Sequence, residues 1–180
     1  MKKIVLAAML ATGLMAAGNE DYFGISAGQV SSNFTIKANT GFVVVGDTNS
    51  KDTAYNFTLG HYYGDNGRIS ATYTYINKES GIDTSDAITV GYDFMLPLAE
   101  QLSIYAGPSV GSTRLKSDSG TNLSGLHYGA QAGGIVKVAK NFEIEAGYRY
   151  LLETGSQTVV GGKIDLDNVG LWYIGGNIRF

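Results

Sequence analysis

The chain has no cysteine, only two prolines and only two histidines among its 180 residues. Without a thiol there is no disulfide, and no lipid can be attached through a lipoprotein-type leader. The lack is consistent with an oxidising compartment whose proteins do not depend on disulfides. No set of His, Cys, Asp and Glu occurs at metal-ligand spacing, so no metal site is expected. No run of basic residues occurs either, and the net charge is −3, which argues against nucleic acid as a partner. Gly161-Gly162 does not follow a strand and open a helix, so no nucleotide loop and no cofactor are expected.

What is present begins with a distinct leader. Lys2 and Lys3 precede a charge-free apolar run from Ile4 to Ala17, and Ala16-Ala17-Gly18 then gives way to Asn19, Glu20 and Asp21. A basic start, an apolar stretch and a small-residue site predict a secretory signal peptide over 1–18, cleaved after Ala17 or Gly18. Its apolar run is short of the ~20 residues that a membrane-spanning helix needs. One domain is expected over 19–180, with a net charge near about −5 once both lysines leave.

In the remainder, 25 glycines and 12 tyrosines weigh against helices and for pleated strands. Apolar and polar residues alternate. Ile88, Val90, Tyr92 and Phe94 interleave with Thr89, Gly91 and Asp93; Phe142, Ile144, Ala146, Tyr148 and Tyr150 interleave with Glu143, Glu145, Gly147 and Arg149. Period two predicts strands with one apolar and one polar face. Eight segments qualify: 22–30, 54–63, 68–76, 87–95, 102–111, 127–137, 142–151 and 169–180. Each has about the 9–11 residues of a tilted strand that crosses a bilayer. Tight connections at Asp65-Asn66-Gly67, Pro97 to Gln101 and Ala139-Lys140-Asn141 alternate with long polar ones at 31–53, 77–86, 112–126 and 152–168. Within the first long connection, Phe34-Thr35-Ile36 and Phe42-Val43-Val44-Val45 predict that strands 1 and 2 continue as a hairpin.

A soluble barrel alternates too, so the placement of bulk along each strand decides which face is wet. The apolar face carries aromatics at two heights. Tyr55, Tyr75, Tyr128, Tyr150 and Trp172 lie near the long connections, and Phe23, Tyr63, Phe94, Phe142 and Phe180 near the short ones. Between them stand Ala27, Leu59, Ala71, Val90, Ala106, Ala132, Ala146 and Gly176. Two aromatic girdles around an apolar band suit a bilayer, whereas a soluble core concentrates its bulk mid-strand. The other face carries small polar residues such as Ser26, Asn56, Thr58, Ser70, Thr72 and Thr89, which fit the narrow inside of eight strands. The expectation is all-β: an eight-stranded antiparallel up-and-down transmembrane barrel with short periplasmic turns and long extracellular loops.

The last strand sharpens this. Trp172, Ile174, Gly176, Ile178 and Phe180 alternate to a terminal Phe, which resembles the C-terminal signature of bacterial outer-membrane barrels. A Tyr is common where Ile178 stands. The segments 142–150 and 22–28 resemble the small OmpA-type and OmpX-like barrels. The resemblance implies export through the periplasm, recognition by the barrel assembly machinery and residence among outer-membrane lipid and lipopolysaccharide. No peptidoglycan-binding domain is expected after the barrel.

Seven charges fall on the inward face: Arg68, Asp93, Lys137, Glu143, Glu145, Arg149 and Arg179. In a narrow lumen such charges should pair, and a salt-bridged plug is favoured over a narrow ion path. A lipid hydrolase would need His, Ser and an acid together. His127, Ser124, Asp118 and Asp165 are the nearest approach to one, and a rim histidine is the better account; His61 is expected outward near the periplasmic rim. No catalytic residue is expected. Asp165 and Asp167 read as a solvated tip. The function favoured is a non-enzymatic envelope protein whose loops bind host or surface ligands or help stabilise the membrane, with a small channel as the rival.

Overall fold

The computed structural model describes residues 20–38, 43–77, 85–116, 122–154, 156–159 and 162–180. The expected leader over 1–18, together with Phe42, Asp118 and Gly161, lies outside the described residues. Every regular element described is a strand: β1 (Asp21–Ala38), β2 (Val43–Tyr63), β3 (Gly67–Asn77), β4 (Ser85–Ala99), β5 (Leu102–Lys116), β6 (Asn122–Ala139), β7 (Phe142–Glu153), β8 (Ser156–Val159) and β9 (Gly162–Arg179).

Neighbours in sequence pair antiparallel from β1 through β7, β7 pairs with β9, and β9 returns to β1. That last ladder runs from Tyr22↔Arg179 to Ala38↔Gly162 and closes the cylinder. The barrel therefore has eight strands, and closure removes the exposed edges that an open sheet would present. The short β8 folds back on β9 alone, Ser156↔Asp165 to Val159↔Gly162.

All eight expected strands are present, but they are longer than the sequence reading allowed. β1 and β2 have 18 and 21 residues, about twice what a tilted crossing requires. They pair as far as Lys37↔Val43, with Ile36 opposite Val44, so the expected hairpin forms. β5 and β6 continue to Lys116↔Asn122. Much of 31–53, 112–126 and 152–168 is thus paired ribbon rather than loop. A ribbon beyond the bilayer need not be apolar on either face, so the alternation that marks a spanning strand fades there while the backbone pairing continues.

Two of the three tight connections are shorter than expected, and the other is displaced by one residue. Two-residue turns, Glu100-Gln101 and Lys140-Asn141, follow bulges at Leu98 and Val138, where the registers slip between Pro97 and Ala99 and between Lys137 and Ala139. The first turn is Gly64-Asp65-Asn66. Its left-handed residue is Gly64, with φ of 62°, and Gly67, expected in the turn, already belongs to β3; glycine takes that conformation at no steric cost.

Side chains alternate strictly along β7, with Glu143, Glu145, Gly147, Arg149 and Leu151 buried and Phe142, Ile144, Ala146 and Tyr150 exposed. The exposed face is the greasy one: Val90, Ile104, Val110, Leu126, Ile144 and Ile174 all point outward. The interior is mostly polar and holds two apolar clusters. Tyr22, Tyr62, Met95, Tyr105 and Ile135 pack together towards the tight-turn end. Val30, Ala54, Ile76 and Leu171, joined by Val169 and Tyr173, pack towards the long-hairpin end.

Candidate functional site: the polar lumen

Between the two apolar clusters lies a network of charged and amide side chains. Arg68 on β3 is 2% exposed and Asp93 on β4 is 0% exposed. They stand opposite each other in register, and both Nε and Nη2 of Arg68 donate to Asp93 Oδ2, at 3.0 and 2.8 Å. The same guanidinium reaches over the lumen to β7, where Nη1 and Nη2 donate to the two oxygens of Glu145 at 2.9 and 3.0 Å. Glu145 also accepts from Tyr105 Oη and Asn177 Nδ2, both at 2.7 Å. The Tyr105 ring lies beneath the guanidinium, 4.5 Å from its carbon. A buried ion pair repays its desolvation only when its remaining lone pairs and protons are satisfied. Here the tyrosine and the asparagine do that.

Two further groups of contacts extend the network. Gln131 Nε2 donates to Asp93 Oδ1 at 2.7 Å, and its carbonyl accepts from Arg149 Nε at 2.9 Å. Nearer the tight turns, Glu143 accepts from Tyr62 Oη at 2.7 Å and from Arg179 Nη1 at 3.2 Å. The Arg179 guanidinium in turn sits 4.2 Å from the Tyr62 ring centroid. Of the seven charges expected inside, six join this network. Lys137 stands apart, exposed at the tight-turn mouth.

Towards the long hairpins the ion pairs give way to hydroxyl, amide and imidazole groups, with Glu153 among them. Thr74 donates to Asn56, which donates to Ser26. His127 is fully buried, with Nε2 3.0 Å from Thr89 Oγ1 and Nδ1 2.9 Å from Thr113 Oγ1. Thr113 donates to Glu153 at 2.8 Å. Because a carboxylate only accepts, the chain has one direction: Nδ1–H donates to Thr113 and Nε2 accepts from Thr89. Ser124 lies on the opposite face of β6 and is exposed, so it does not meet His127. Asp118 and the side chains of Asp165 and Asp167 lie outside the described residues. His61 alternates outward as expected but is buried, 2.7 Å from Asp21 Oδ1 and edge-on to Tyr63.

The residues expected to form the girdles all take the outward face. Trp172 at 66% and Phe94 at 64% are the most exposed, and only Phe23 and Tyr75 are half-covered. In the last strand, Trp172, Ile174, Ile178 and Phe180 are exposed and Gly176 is half-buried against the Phe142 ring. The sequence reading did not single out Tyr22, Tyr62, Tyr173 and Asn177 as interior groups, nor the inward apolar residues at the hairpin end. Alternation alone could have found them, since each shares its strand face with a residue already placed inside.

No protein-family model matches the sequence, and no curated protein matches it. Solved structures do. The chain is similar to Neisserial surface protein A, with 16% identity over 89% of this chain and 97% of that one and a TM-score of 0.68. It is similar to outer membrane protein H of Pseudomonas aeruginosa, with 25% identity over 89% and 99% and a TM-score of 0.63. The N-terminal β-barrel domain of Pseudomonas aeruginosa OprF gives 12%, 91% and 100%, and a TM-score of 0.57. A closed ring of eight antiparallel strands, greasy outside and polar inside, defines the class: a small bacterial outer-membrane β-barrel. Its place is the bacterial outer membrane.

Proposed function

We propose that the protein is a non-enzymatic, non-conducting barrel that holds its extended hairpins at the cell surface, where they bind host or surface ligands or brace the lipopolysaccharide leaflet. The observation that carries this reading is the bridge from Arg68 to Asp93 and Glu145, which spans the lumen with nearly every polar atom partnered. The cavity beside it has room for roughly one water molecule. Rigid scaffolds that display exposed connections are where binding usually resides. In this reading residues 1–18 are removed on export, the strand ending Trp172, Ile174, Gly176, Ile178 and Phe180 is offered to the barrel assembly machinery, and the two girdles seat the barrel at the two lipid interfaces.

Planar-bilayer recording on refolded protein tests the closed lumen. No steady conductance is expected. A steady conductance abolished by Glu145→Gln or Arg149→Gln would establish a narrow ion path instead.

A further inference from the structure

Above the charged network, towards the long hairpins, the lumen opens into a chamber whose roughly 670 Å³ of empty space includes open solvent at its mouth. Its described walls are mainly apolar: Val30, Ile76, Ala87, Leu151, Val169 and Leu171 line it. Apolar side chains facing into the lumen do nothing for a polar plug, and they face away from lipid.

Arg149 lines both this chamber and the small cavity below, so it sits between the two. It is 5% exposed. Its Nε is committed to Gln131, and no carboxylate among the described residues pairs with it. Gln131 separates it from Asp93, which binds Arg68 instead. The two terminal amino groups of this guanidinium therefore have no protein acceptor among the described residues. An arginine fork with unused donors at the end of an apolar recess is matched by a carboxylate carrying an apolar tail. Asp52 and Glu153 also line the chamber, but nearer its mouth. Glu153 is four residues further along β7 than Arg149, about 13 Å at strand rise, and it is already bonded to Thr113.

We infer that the chamber is a binding site for a short-chain amphipathic carboxylate, with its head on Arg149 and its tail against the apolar wall. This goes beyond the anchoring role, which needs no small molecule.

The probe is hexanoate, titrated into refolded protein in phosphatidylcholine nanodiscs, with hexanol as the uncharged control. Methyl NMR signals of Ile76, Leu151 and Leu171 report the chamber. Saturable shifts with hexanoate but not with hexanol are expected. Arg149→Gln should weaken binding by about tenfold or more, as loss of a charge-assisted contact predicts. Should that variant fail to fold, Ala87→Trp fills the recess while leaving Arg149 in place, and it should also abolish the saturable shifts. Equal, unsaturable shifts with both probes, or undiminished hexanoate binding in both variants, would overturn the assignment.

Discussion

Arg68 on β3 and Glu145 on β7 are joined by two hydrogen bonds of 2.9 and 3.0 Å, 77 residues apart in sequence. In a ring of eight strands these two stand four apart, so the bond is a diameter of the barrel. One guanidinium therefore ties opposite walls together, with Asp93 held on the same fork.

Removing that fork alone should be severe. Arg68→Met leaves Asp93 and Glu145 buried without their cation, and loss of one partner of a buried pair costs about 3–5 kcal/mol. The urea midpoint of refolding in vesicles should fall accordingly. Replacing Arg68, Asp93 and Glu145 together by apolar residues of similar size should restore most of the loss. A single-variant cost under about 1 kcal/mol would mean that the pair is effectively solvated.

Close strand approach makes a second site sensitive. A Cβ on Gly107 would fall on the carbonyl oxygen of Tyr92, whereas one on Gly134 would find its nearest atom, Ser103 O, at 3.8 Å. Gly107→Ala should lower the thermal stability of the folded barrel by about 1–3 kcal/mol, an overpacking cost, and Gly134→Ala should leave it unchanged. Heat-dependent gel mobility separates the two. Equal behaviour of the two variants would contradict the close approach.

The single tryptophan gives a clean test of the outward face. Trp172 is the only one in the chain, and its ring points away from the lumen. In vesicles its fluorescence should be quenched by lipids brominated near the headgroup more than by lipids brominated near the chain end, as the interfacial preference of indole predicts. Strong quenching by aqueous acrylamide with no effect of brominated lipid would place this face in water.

Depth should also appear in the cost of a charge. Val90 lies mid-strand on the outward face, while Leu98 lies at the bulge beside the Glu100-Gln101 turn. Val90→Arg should destabilise the barrel by about 2–4 kcal/mol and Leu98→Arg by no more than about 1 kcal/mol, since the penalty falls towards the interface. Equilibrium unfolding in thin phosphatidylcholine vesicles measures both. A reversed order would displace the apolar band from where the aromatics put it.

Strand identity was legible wherever one face had to be greasy and the other not. The period-two runs around Ile88–Phe94 and Phe142–Tyr150 gave eight strands, their order and their outward residues. Above the bilayer the runs signalled the β1–β2 hairpin, through Phe34-Thr35-Ile36 and Val43-Val44-Val45, but not the paired ribbon in which β5, β6 and β9 continue. Turn chemistry was legible only in part: Asp65-Asn66-Gly67 marked the right place, but the left-handed residue is Gly64. Inward charges could be counted from alternation, yet partner choice could not. Register between distant strands decides it, and that register depends on where bulges at Leu98 and Val138 fall.

By itself, then, the sequence determined the alternation of greasy and polar side chains, and with it a closed sheet turned inside out relative to a water-soluble core. Only the tertiary structure decided that Arg68 spans to Glu145 rather than to Glu143, that Lys137 is left at the mouth, and that Arg149 ends an apolar recess with donors to spare. The reason is physical. Alternation is a property of one strand and can be read along it, whereas an ion pair across a lumen depends on shear, tilt and bulges summed around the whole ring.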